Sequence, residues 1–362
     1  MRGEEGRAEM LERPSAGPAG HDEYQSIQCL RALAALMVLV YHVGTTLSVL
    51  HDGPVRPHWL TAGVDIFFVV SGFVMVVATR RRPVGPGRFL RARMARIVPL
   101  YWVATLLYAA LLVLQRQGAP SLEELLKSLF FVFYTNPRTG EPTPLLVPGW
   151  SLNYEVYFYV MFAAVLWLSV ARRILVLGAI FAFICMFRPL VPADDALLFR
   201  LTSPHPLEFV AGMALAYAAS AASRLPAWSG AILIAVAFAG LATIGTGLSR
   251  VLFFGPFAIA IVAGAVIAEP LFRMAVLGPL RRLGDASYSL YLTHPLVVTL
   301  LLPLLAPGTA VAGAAITMAI ASIVAAFLSY HAFELPIAGL ARGWIRGRRS
   351  NAPATEADRP SG

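Results

Sequence analysis

Apolar residues run through this chain in stretches about as long as a bilayer is thick, and the charged residues gather in the gaps. A spanning helix needs about 20 largely apolar residues. Ten such stretches can be marked: residues 27–50, 58–79, 89–114, 151–169, 172–191, 204–222, 226–246, 250–272, 284–306 and 309–332. Lipid offers no partner to open backbone, so each stretch is expected to be helical. The prediction is an all-α polytopic membrane protein of about ten transmembrane helices. Residues 121–135 (SLEELLKSLFFVFYT) are amphipathic but too short and polar to cross, and suit a helix lying at the interface. Residues 1–24 and 341–362 are polar, contain proline and glycine, and are expected to be disordered around a transmembrane domain at 25–340. The first 24 residues carry no apolar run of the kind a cleaved signal peptide needs.

Composition narrows the class further. The chain is 58% apolar and 14% charged, with a mean hydropathy of +0.69, outside the usual range for soluble domains. The net charge of +9 is almost wholly arginine, Lys127 being the only lysine. In a soluble protein that excess would point to nucleic acid. Here the arginines sit at helix ends, and topology accounts for them, so no nucleic-acid partner is expected. Counting alternate gaps with the N-terminus inside gives eighteen basic residues on one side and seven on the other, the remaining four of 29 lying within spans. The seven are Arg56, Arg116, Lys127, Arg138, Arg188, Arg200 and Arg250. The positive-inside rule then puts both termini in the cytoplasm. Cys29 and Cys185 lie in apolar stretches and read as small hydrophobes, not as a disulfide or metal framework.

An ionisable group inside a spanning helix costs about 2.5–3.5 kcal/mol on insertion scales and marks a candidate functional site. Arg31 and His42, in LRALAALMVLVYH, are eleven positions apart, about three helical turns, and so share one stripe with a rise of about 16 Å. Arg31 falls near the cytoplasmic edge, and His42 near or just beyond the midplane. His42 can take a proton from a hydroxyl, or simply hydrogen-bond a neighbouring helix. GVDIFFVVSGF places Asp65 and Ser71 in the second span. A buried carboxylate needs a partner, and the sequence leaves Arg31, Arg93 and His42 open, beside the alternative of a helix cap. RFLRARMARIVPLYW sets Arg93 and Arg96 three apart on one face at the cytoplasmic end. Their planar forks suit phosphate, though arginines there also snorkel to headgroups. Trp150, Ser151 and Glu155 open the fourth span in PGWSLNYEVYFY. The aromatics fit an interfacial belt, whereas Glu155 lies about a turn deeper. Glu208 in PHPLEFVAGM and His294, beside Tyr288, in LGDASYSLYLTHP are isolated polar positions that fit structural satisfaction as well as chemistry. Glu334 in HAFELP sits where the last span leaves the membrane. There is no phosphate-binding Gly-Lys-Ser/Thr loop, no metal-ligand spacing and no G-x-S-x-G elbow.

Taken in order, Arg31 followed after ten residues by His42, GVDIFFVVSGF, RMAR with IVPLYW, WSLNYE, LGDASYSLYLTHP and FELP resemble the integral-membrane acyltransferase family 3 over nearly the whole chain. The wording of IQCLRALAALMVLVYH, GWSLNYE and PLEFVAGM is similar to the branch that modifies bacterial exopolysaccharide. The resemblance implies an O-acyltransferase of the bacterial inner membrane, with acyl-CoA, commonly acetyl-CoA, as donor substrate, a carbohydrate acceptor, no permanently bound cofactor and no metal. By the same resemblance His42 is the catalytic histidine and Arg31 its motif partner. Asp65 and Ser71 belong to the same site, and Arg93 and Arg96 are the arginine pair. Glu155, Trp150, Tyr288 and His294 are further candidates. Some members carry an added esterase-like domain; here any such step is expected from another protein, within polysaccharide biosynthesis machinery. The expected mechanism has the arginines hold the donor's phosphates, the thioester reach mid-membrane, and His42 deprotonate the acceptor with Asp65 or Glu155 orienting its ring. Rival readings are a transporter or flippase for a glycan or lipid-linked sugar, and an assembly subunit of an export complex.

Overall fold

The computed structural model describes residues 24–51, 57–80, 84–192, 194–222, 224–243, 250–304 and 310–340. The expected disordered N-terminal segment, apart from Tyr24, and the basic tail at 341–362 lie outside these residues. Among the described residues every regular element is a helix. In chain order they are α1 (Gln25–His51), α2 (Gly63–Arg80), α3 (Pro86–Leu114), α4 (Leu122–Leu129), α5 (Trp150–Ala164), α6 (Val170–Met186) and α7 (Ala196–Leu201). They continue as α8 (His205–Ala222), α9 (Ala227–Thr243), α10 (Arg250–Ile267), α11 (Glu269–Phe272), α12 (Gly278–Asp285), α13 (Ser287–Leu301) and α14 (Val311–Ser329).

Among the described residues six segments are long and apolar enough to cross a membrane: Gln25–Ser48, His58–Arg80, Pro86–Leu114, Val170–Leu190, Ser287–Leu304 and Val311–Leu340. Ala227–Thr243 and Leu252–Ile267 are shorter apolar helices. The two remaining expected spans fall on α5 and α8. At 15 residues, α5 is about 22 Å long, short of the roughly 30 Å hydrocarbon layer. His205 and Glu208 in the first turn make α8 more polar than its neighbours. The expected eighth and ninth spans each break, at Ala268 between α10 and α11 and at Ala286 between α12 and α13. The last runs on through a π-helical turn, Tyr330–Glu334.

Packing follows from small residues. A Cβ at Gly72 on α2 would stand 1.9 Å from the Phe209 carbonyl oxygen on α8, and one at Gly212 on α8 would stand 1.9 Å from that of Val69. The two backbones therefore meet through reciprocal glycines, the close approach that drives helix association where lipid supplies no hydrophobic drive. On α12, a Cβ at Gly284 would lie 2.0 Å from the Gln28 carbonyl oxygen, which brings Asp285 beside the start of α1. That start is capped from far along the chain: Glu269 accepts the amides of Gln25 and Ser26, both at 3.0 Å, satisfying donors that a helix N-terminus leaves open. Helix α4 carries a full capping box, Ser121 with Glu124, and leaves Leu122, Leu126 and the following Phe130 exposed. Helix α2 is the most enclosed element, with Asp65 and Ser71 on it; α1, α3, α5 and α13 complete the walls of the site.

Candidate active site

Three cavities follow one another along α1. The first is lined by Arg31, Arg93 and Arg96 together with Asp285 and Glu334. The second shares those three arginines and adds Ser71, Glu155, Tyr159, Tyr288 and Tyr291. Tyr291 also lines the third, with His42, His58, Trp150, Arg200 and His205. Arg31 and His42 thus both face protein-lined space, as their shared stripe predicts, with the guanidinium groups at one end of α1 and the imidazoles at the other.

At the arginine end, Arg31 Nη1 donates to Gln28 Oε1 at 3.1 Å, and Ser289 donates to Glu334 at 2.8 Å. Proline is tolerated inside α3 at Pro99, beyond the first turns that carry Arg93 and Arg96. In the middle chamber Ser71 Oγ donates to Glu155 Oε1 at 3.0 Å, and the Tyr159 hydroxyl donates to the same oxygen. Glu155 and Tyr159 stand four apart on α5, so one helical face presents both. The Tyr288 hydroxyl donates to the Ile97 carbonyl at 2.6 Å and ties α13 to α3. Tyr291 donates to the Pro148 carbonyl at 2.8 Å and lies 2.7 Å from Ser151 Oγ, which holds its ring between the second and third cavities.

The histidines define a direction for proton transfer. His42 Nδ1 lies 2.9 Å from the Val38 carbonyl oxygen, and His294 Nδ1 lies 3.0 Å from that of Leu290. A carbonyl only accepts, so each Nδ1 carries a proton and each neutral ring keeps its lone pair on Nε2. His294 Nε2 is 3.3 Å from His42 Nδ1 and accepts from it. With Nδ1 holding the proton, Nε2 is the ring nitrogen of His42 that can accept one. The Val38 carbonyl and His294 both lie at Nδ1 of His42, while Glu155, expected as one orienting partner, is engaged with Ser71 and Tyr159. Asp65 is wholly buried in the first turn of α2, almost two turns before Ser71. Glu208 is buried on α8, with a Cβ at Gly255 only 3.1 Å from its Oε1, away from these cavities.

Trp150 heads α5 and lies edge-on to Phe68, Tyr154 and His205, so it is part of the third cavity's wall and not a lipid-facing belt. Tyr159, Tyr291, His58, His205 and Arg200 were not singled out from sequence. Tyr159 was findable, since it sits one turn after Glu155. His58 opens the expected second span and Arg200 lies in a gap between spans, and only the fold brings them to the cavity of His42.

A chain of membrane-length helices enclosing a basic chamber and a histidine pair is the setting of an integral-membrane group-transfer enzyme. The chain belongs to the acyltransferase-3 family: the family's acyltransferase domain matches residues 24–331, in agreement with the motif resemblance. Among its relatives is the exopolysaccharide production protein ExoZ of Rhizobium meliloti (strain 1021), 40% identical over 242 residues, covering 66% of this chain and 76% of that protein. The peptidoglycan O-acetyltransferase OatA of Listeria monocytogenes serovar 1/2a (strain ATCC BAA-679 / EGD-e) is 26% identical over 356 residues, 86% of this chain and 55% of the relative. The O-acetyltransferase OatA of Staphylococcus aureus (strain NCTC 8325 / PS 47) is 23% identical over 316 residues, 74% of this chain and 50% of the relative. The chain therefore spans about half the length of these two OatA proteins. No solved structure matches it.

Proposed function

We propose that this protein is an O-acetyltransferase of the bacterial inner membrane that moves an acetyl group from acetyl-CoA on the cytoplasmic side to a hydroxyl of an exopolysaccharide or its lipid-linked precursor. The observation that carries the reading is the run of three neighbouring cavities along α1, lined at one end by Arg31, Arg93 and Arg96 and at the other by His42, His58 and His205. Three guanidinium groups, Arg31, Arg93 and Arg96, are a seat for the phosphates of a nucleotide-bearing donor. The ten-span arrangement inferred from the arginine asymmetry puts that seat in the cytoplasmic half and His42 in the outer half. Similarity to an exopolysaccharide production protein and to peptidoglycan O-acetyltransferases favours a glycan acceptor.

In this reading the thioester lies in the middle chamber, near Ser71, Glu155 and Tyr159. His42 Nε2 removes the proton of the acceptor hydroxyl as the oxygen bonds to the thioester carbon. Collapse of the tetrahedral intermediate breaks the carbon–sulfur bond, and the proton held on His42 leaves to the thiolate. Tyr291, between the two chambers, must let the acceptor oxygen and the thioester meet.

Purified protein in lipid nanodiscs, given acetyl-CoA and a glycan acceptor, is expected to release CoA and add one acetyl per CoA. His42→Ala should lower that rate by about 10²–10⁴-fold, the usual contribution of a general base. Arg93→Gln with Arg96→Gln should raise KM for the donor and leave KM for the acceptor alone. Glycan movement without CoA release would instead identify a transporter.

A further inference from the structure

Arg200 differs from the other arginines around the site. It is carried by the short helix α7, and its guanidinium lies 5.4 Å from the centre of the Trp150 ring and 5.9 Å from that of Tyr154. Its Nε and Nη2 donate to the Pro142 carbonyl oxygen at 3.1 and 2.8 Å. Those two bonds use part of a fork of five donors, and the Tyr154 hydroxyl is a further partner for it. Arg273 pairs with Glu269 at 3.2 Å and Arg138 with Glu124 at 3.5 Å, but among the described residues no carboxylate pairs with Arg200. It nonetheless lines the same cavity as His42. A half-buried cation without a counter-charge is disfavoured unless a ligand supplies one. The surrounding wall is amphipathic: Trp150 and Tyr41 offer ring faces or edges, and His58, His205 and Glu141 offer polar atoms. Glu141 is exposed at the rim, where a carboxylate can accept sugar hydroxyls without neutralising the arginine.

We propose that this cavity is the acceptor subsite and that Arg200 selects an acceptor bearing an oxyanion close to the hydroxyl that is acylated. The idea rests on the transferase reading for the hydroxyl's fate, but not for the binding itself. The oxyanion is either a sugar carboxylate or the phosphate of a lipid-linked precursor; a guanidinium fork receives both in the same way. The carbonyl of Pro142 and the Trp150 ring hold the fork in place, so a lysine, a single flexible charge, is a poor substitute.

The test is binding, followed by saturation-transfer NMR on the full chain in detergent, with methyl β-glucoside, methyl β-glucuronide and glucose 1-phosphate as probes. Either anionic probe, or both, should bind at least about tenfold more tightly than the neutral glucoside, the scale of one hydrogen bond to a charged group. Which of the two leads tells carboxylate from phosphate. Arg200→Gln should bring all three probes to the neutral level, and Arg200→Lys should recover only part of the preference. Equal binding of neutral and anionic probes by the unaltered protein overturns the proposal, as does a preference that survives in a folded Arg200→Gln variant. If Arg200→Gln does not fold, Arg200→Lys and the unaltered protein still decide: a preference undiminished in the lysine variant, or absent without substitution, counts against it. An anion preference in a protein that never releases CoA would leave the subsite standing and remove the transferase reading. CoA release with no such preference would do the reverse.

Discussion

His42 draws its chemical identity from two neighbours that no local motif announces. The Val38 carbonyl, one turn back on α1, fixes the proton on Nδ1, and His294 approaches the same nitrogen from α13 at 3.3 Å. A neutral imidazole in that position orients the base without adding a buried charge, where hydrolase triads use a carboxylate. In the proposed mechanism His294 would position His42. His294→Gln, which keeps a side-chain acceptor, is expected to lower kcat by less than His294→Ala. The alanine variant should lose about tenfold or more, one orienting hydrogen bond's worth, with KM for acetyl-CoA unchanged in both. A purely structural histidine would instead lower thermal stability and the amount of folded protein together with kcat. Glu155 shows the opposite lesson: its oxygen is committed to Ser71 and Tyr159, which makes it an organiser of the middle chamber. Tyr159→Phe and Ser71→Ala should each affect donor kinetics more than acceptor binding.

Helices meet here through absences of side chain. The reciprocal contact of Gly72 with Phe209 and of Gly212 with Val69 sets the distance between α2 and α8, right beside Ser71 on α2. A methyl at either glycine would overlap backbone, which cannot swing aside as a side chain can. Gly72→Ala and Gly212→Ala should each destabilise the protein by about 1–3 kcal/mol or more, the range for overpacking a closed contact. Unfolding midpoints in detergent check this, with Gly313→Ala, where a Cβ meets nothing within 4 Å, as the neutral comparison. The breaks at Ala268 and Ala286 have a related use. By ending α10 and restarting the chain, the first turns Glu269 toward the amides of α1; the second starts α13 at the angle that delivers Tyr288, Tyr291 and His294 to the site.

For the protein as a whole, orientation decides whether the two ends of the site face the compartments that hold donor and acceptor. Eighteen basic residues against seven on alternate gaps predict both termini in the cytoplasm. Alkaline phosphatase fused after residue 340 should be inactive, and a cysteine placed at Glu141 in a chain lacking Cys29 and Cys185 should label from the periplasm in intact cells. Labelling only from the cytoplasm would invert the site and end the proposed direction of transfer. Among the described residues six segments meet length and hydropathy for crossing, and the ten-span count requires α5, 15 residues long, to cross together with the turns that flank it, Val147–Gly149 and 165–168. A short helix that bears Trp150, Glu155 and Tyr159 on cavity walls is better suited to lining a site than to meeting lipid.

Hydropathy and the spacing of charges sufficed for the helical class, for the bilayer as solvent, and for Arg31 and His42 on one stripe, because helix periodicity and the transfer cost of charge act within a single segment. Family motifs added the acyltransferase assignment, and Arg93, Arg96, Ser71 and Glu155 were legible as polar positions in apolar runs. The partner of each remained hidden. That His294 meets His42, that Ser71 meets Glu155, and that Arg200 shares a cavity with the base are contacts between residues 252, 84 and 158 positions apart. Such contacts depend on how helices cross, and crossing is set by glycine approaches and helix breaks that leave almost no trace in a hydropathy profile.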